Sequence, residues 1–130
     1  MDTVGNMLTS IVNAQRIGKE RVVVPYSKFT YELAKMLQEE GLVAKCRVQA
    51  NPKKSLIIKL VYENGEPIIK RVKRVSKLGS RKYVSRQELP FTGNKPGILI
   101  ISTSHGLMNQ NKARKQKLGG ELIGEIWCNN

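Results

Sequence analysis

Ser102, Thr103, Ser104 and His105 stand in a row closed by Gly106, and they are the residues of this chain whose types could do chemistry. Two kinds are open to them. A serine beside a histidine can act as a nucleophile with its base, provided a third group orients the imidazole and a sharp turn such as GxSxG exposes the serine. The sequence offers neither. Small hydroxyls at the end of an apolar run can instead serve recognition. Each OH both donates and accepts, and a small side chain admits close approach to a ribose, a phosphate or a base edge, the 2′-OH of RNA included. Such residues also satisfy turn hydrogen bonds with no ligand at all. The triplet alone does not choose between these last two readings.

The rest of the chain argues against catalysis. It holds one histidine and two widely spaced cysteines, Cys46 and Cys128, without CxxC spacing. No zinc site or disulfide framework is expected, and both thiols suit a reducing compartment. The Gly-rich pieces "KLGS" and "KLGGE" match neither GxxxxGK[ST] nor GxGxxG. The expectation is a protein that is not an enzyme, with no catalytic residues, no cofactor, no metal and no small-molecule substrate. No apolar run approaches the roughly 20 residues that span a bilayer. The start, "MDTVGNMLTS", lacks the pattern of a signal peptide. No membrane partner is expected.

Charge points to the partner. Of 130 residues, 23 are Lys or Arg and 10 are Asp or Glu, a net charge of +13. Residues 66–130 hold thirteen of the basic and four of the acidic side chains, so the second half dominates the field. Within it, "KRVKRVSKLGSRKYVSR" (Lys70 to Arg86) has eight basic residues and no acid, interleaved with valines at strand spacing. Like charges on neighbouring strands repel unless an anion relieves them, so a nucleic acid is the expected partner. Arg81, Lys82, Lys112, Arg114 and Lys115 are the candidate phosphate contacts by position and charge.

Elements must position these groups. Val4, Met7, Leu8, Ile11 and Val12 recur at the spacing of one buried helix face, with Asp2 or Thr3 at its start and Gly18 at its end. "RVVVP" reads as a strand, residues 28–40 as a helix capped by Ser27 and stopped by Gly41, and residues 42–49 and 55–62 as a hairpin. Asn64-Gly65 is a turn signal. Beyond it come a strand in "PIIKRVKRVS", a loop in "KLGSRK", a short strand or turn in "YVSR" and a corner at "KPG". The apolar strand "ILIIS", a helix over 110–117 capped by Asn109, and a last strand "ELIGEIW" complete the chain. The expected fold is α+β in two small lobes. Residues 1–65 form a helix-strand-helix-strand-strand lobe, and residues 66–130 a mostly antiparallel sheet with one short helix that binds RNA.

Several motifs resemble one family. "STSHG" (Ser102 to Gly106), then "ARK" and "LGGE", preceded by "RVSKLGSRKY" and "KPGILI", look like the eighth universal protein of the small ribosomal subunit in its bacterial or organellar form. The start, Asp2 to Asn13, and Ser27-Lys28 agree, so the likeness spans essentially the whole chain. Leu78, His105 and Asn109 depart from residues the family favours. The resemblance implies a two-lobed α+β protein that binds the central domain of small-subunit ribosomal RNA directly and early in assembly. It implies that Ser102, Thr103, Ser104 and Gly106 contact irregular bases, with Tyr83 beside them and Lys28 as an N-terminal contact. Neighbouring small-subunit proteins and, in bacteria, its own messenger RNA are the further implied partners. The implied location is the small subunit, in a bacterial cytoplasm or in an organelle that encodes the protein. A free-standing RNA-binding regulator would use the same basic sheet. Poor aromatic content argues against a base-stacking platform, because Tyr83 alone lies in the basic region.

Overall fold

The computed structural model describes residues 3–77, 79–87 and 97–128. Helix α1 (Thr3–Arg16) buries Val4, Met7, Leu8 and Ile11, the stripe that its period implies. Gly18, at φ +76°, follows its end. Strand β1 (Arg21–Pro25) leads to helix α2 (Lys28–Glu39). Ser27 starts α2 by a reciprocal capping box: its hydroxyl accepts from Thr30 N at 3.0 Å, and Thr30 Oγ1 accepts from Ser27 N at 2.8 Å. Strands β2 (Val43–Gln49) and β3 (Ser55–Leu60) form the expected hairpin, and the sheet order is β1-β3-β2. The helices cover one face of that sheet. Leu33, Leu37, Leu56 and Ile58 are fully buried with the α1 stripe.

The third strand ends at Leu60 and not at Tyr62. Tyr62 opens a separate ladder of β4 (Tyr62–Glu63) with β5 (Glu66–Pro67) across Asn64-Gly65, whose φ values of 54° and 79° are those a type I′ turn requires. The chain divides into two compact units, Met1–Lys70 and Arg71–Asn130.

The second unit holds β6 (Ile69–Arg74, begun just before the division), β7 (Tyr83–Val84), β8 (Gly97–Thr103), β9 (Gly106–Met108), α3 (Gln110–Lys115) and β10 (Gly120–Cys128). Its sheet runs β6-β10-β8-β9, and β7 also pairs with β10. Ladders β10/β7, β10/β8 and β8/β9 are antiparallel. The α+β fold expected from the sequence is the one observed. Strand β9 was not anticipated, because three residues give too short a pattern to separate from a loop. Helix α3 stops at Lys115, and Lys117 then turns left-handed at φ +58°. Leu99, Ile101, Met108 and Ala113 form the core between sheet and helix, joined by Val84, Leu118 and Leu122. Inside it, Gln110 Oε1 accepts from Leu99 N at 2.9 Å and ties α3 to β8. Asp2, Leu78 and the Lys95-Pro96 part of the "KPG" corner lie outside the described residues.

Candidate nucleic-acid interface

Gly119 and Gly120 decide how closely the site's strands approach. A Cβ on Gly120 would lie 2.1 Å from the Ser102 carbonyl oxygen, and one on Gly119 would lie 2.5 Å from that of Val84. No side chain fits at either position, so the two glycines let the start of β10 slot between β7 and the end of β8. Register then sets a row across three strands: Tyr83 opposite Glu121, and Glu121 opposite Ser102. Directly opposed residues share a face. Leu122, Ile101 and Met108 face the α3 core, so Tyr83, Glu121 and Ser102 lie on the other side.

The hydroxyl triplet divides into two roles. Thr103 closes the β8/β9 hairpin opposite Gly106. Its hydroxyl donates to Gly106 O at 2.8 Å and accepts from His105 N at 3.1 Å, so its proton is committed inside the turn. Gly106 takes φ +105°, where a side chain would be strained. Ser104 is exposed at the turn and Ser102 is half-buried, and among the described residues neither hydroxyl has a partner. The side chain of His105 is exposed and unpartnered on the same terms, so no group orients it as a base.

Glu121 is the residue that sequence reasoning missed. Its carboxylate accepts from the hydroxyl of fully buried Ser76 and from Arg81 at 3.0 Å. The Ser76 hydrogen bond, aided by Arg81 and against the effect of burial, holds the carboxyl below its usual range. Ser76 Oγ also accepts from Lys82 N at 3.2 Å, and Lys82 O accepts from Leu122 N at 2.8 Å. Glu121 therefore fastens Ser76 and Arg81 to the sheet beside Tyr83, which is 68% exposed. The GGE sequence held this signal: two obligatory glycines before an acid in a basic lobe mark a close strand junction with one internal ion pair.

The other expected residues separate by surroundings. Arg81 is committed to Glu121. Lys82, Lys112 and Lys115 are exposed, and Arg114 is half-exposed with a partner of its own. Asn109 caps α3, its Oδ1 accepting from Lys112 N at 2.7 Å, as expected. Lys28 is exposed on the first turn of α2, in the other unit. Among the described residues no three His, Cys, Asp or Glu side chains cluster as metal ligands, and no helix is long and apolar enough to cross a membrane. Cys46 and Cys128 are not joined in a disulfide.

An exposed turn with an unpartnered hydroxyl beside an exposed tyrosine is a geometry for recognition, and sequence comparison gives it a family. The family model described as Ribosomal protein S8 matches residues 2–127. The chain belongs to the ribosomal protein S8 family. It is similar to the small ribosomal subunit protein uS8 of Trichormus variabilis, with 44% identity over 129 residues covering 97% of each chain. The protein of the same name from Neisseria meningitidis serogroup C is 45% identical over 122 residues, 94% of each chain. That from a Sulfurihydrogenibium species is 41% identical over 133 residues, 97% of this chain and 98% of its own. As a member of the S8 family the chain is a structural ribosomal protein and not an enzyme, in agreement with the sequence reading.

Proposed function

We propose that the protein is a constituent of the small ribosomal subunit of a bacterial-type ribosome, in a bacterial cytoplasm or a self-translating organelle. There it binds the central domain of the small-subunit RNA directly and early in assembly. The second lobe, residues 66–130, is the RNA-binding part. The observation that carries this reading is the row Tyr83, Glu121, Ser102 beside the exposed Ser104 turn. It offers an aromatic face and two unpartnered hydroxyls, groups suited to bases and 2′-OH groups exposed in an internal loop. Lys82, Lys112 and Lys115 supply charge for the phosphates, and Gly106 holds the turn in shape. Lys28 adds a contact from the first lobe. Thr103 and Arg81 serve the site by fixing its turn and its loop. Neighbouring small-subunit proteins and its own messenger RNA are further partners. The test is binding to a central-domain internal-loop fragment and to a fully paired hairpin of equal length. The fragment is expected to bind more tightly by a factor that survives added salt. Equal affinity for both RNAs contradicts the proposal.

A further inference from the structure

The uncovered face of the first unit's sheet carries a cluster of cations outside the site described above. Arg21, Lys59 and Lys45 stand in one row across β1, β3 and β2, and Arg47 stands in the next row opposite Ile57. The thiol of Cys46 donates to Gln38 Oε1 of α2, which fixes the helix-covered side of β2. Lys45 and Arg47, its immediate neighbours, therefore point the other way. These four cations, with Glu20 and Ile57, line a depression of about 300 Å³. All four are exposed, and among the described residues none pairs with a carboxylate.

Three like charges in one cross-strand row oppose folding, since each directly opposed pair repels. The arrangement is relieved by a polyanion lying on it. We infer that this face is a second phosphate-binding surface, which takes the backbone of an RNA segment other than the one read by the Ser104 turn. The inference rests on the RNA-binding reading above. The cations come from the central strand as well as from both edges. That field suits a backbone crossing the face better than an acidic peptide, which would add as a strand at one edge. Contacts of this kind position an RNA without reading its sequence.

The test measures binding of full-length small-subunit ribosomal RNA, and of a scrambled RNA of equal length, across a salt series. Wild type is compared with Lys45→Gln/Lys59→Gln and with Arg21→Gln/Arg47→Gln. Each double variant is expected to lower the slope of log affinity against log salt by about one to two units on both RNAs. Thermal stability should be unchanged or raised, because repulsion is removed. Unchanged slopes in both variants overturn the inference. So does loss of binding to a poly-glutamate peptide with the RNA slopes intact, which would mark an acidic protein partner. If wild type itself fails to prefer the ribosomal RNA, the proposed function fails, while a lowered slope in the variants would still support the phosphate surface.

Discussion

Glu121 lies directly opposite Ser102 in the β10/β8 ladder, yet its carboxylate is bound by Ser76 and Arg81 and not by that serine. An acid thus sits between an exposed tyrosine and a half-buried serine, with its charge answered within the protein. Its work is to hold Ser76 and Arg81, and among the described residues the Ser102 hydroxyl has no partner.

Acid should release that clasp. The Glu121 carboxyl is lowered in the fold, chiefly by the Ser76 hydrogen bond and then by Arg81. Its contribution to stability is therefore complete above the unfolded carboxyl pKa of about 4.3 and is lost as pH falls through the lower folded value. Glu121→Gln is expected to cost about 1 to 2 kcal/mol at neutral pH. The gap to wild type should narrow below about pH 4. Urea titrations from neutral pH downwards measure it, and a gap independent of pH would refute the clasp.

Two glycines should respond very differently to alanine. Gly120→Ala drives a Cβ into the Ser102 carbonyl, a backbone atom that cannot turn aside, and is expected to cost about 3 kcal/mol or more. Gly65 has open space around its Cβ position and only its φ of 79° to defend, so Gly65→Ala should cost about 1 kcal/mol. Thermal unfolding of both variants makes the comparison, and equal losses would mean the strand junction is looser than described.

Among the basic residues, the exposed and the committed should separate. Lys82→Gln, Lys112→Gln and Lys115→Gln are each expected to reduce the salt slope of RNA binding by somewhat under one unit, on matched and scrambled RNA alike. Arg81→Gln should act mainly on stability, because its partner is Glu121. A lysine that changes neither affinity nor slope belongs to a solvated face.

The helices, the capping by Ser27 and Asn109 and the long strands were legible because apolar period and cap chemistry are local properties. Both caps hold the side-chain geometry those residue types imply. Strand β9 and the split of residues 66–75 between two ladders were not legible, since both depend on which partner strand is nearby. The same limit explains the site. Ser102, Ser104 and Gly106 are adjacent in sequence and could be read together. Tyr83 and Glu121 reach Ser102 only through cross-strand register, and the hydrogen bonds of the Thr103 hydroxyl are set by the folded hairpin, which sequence alone does not show.

The central claim is that the Ser104 turn reads RNA by shape and hydrogen bonding and not by charge. The direct measurement is binding of wild type and Ser104→Ala to the central-domain internal-loop fragment and to a fully paired hairpin of equal length, each over a salt series. Ser104 is exposed and unpartnered within the protein, so folding stability should shift by less than about 0.5 kcal/mol. A lost hydrogen bond that leaves its RNA partner unpaired should weaken fragment binding by about 1 to 3 kcal/mol, with the salt slope and the hairpin affinity unchanged. Equal losses on both RNAs, or no loss on either, would contradict the account and leave Ser104 a turn residue alone.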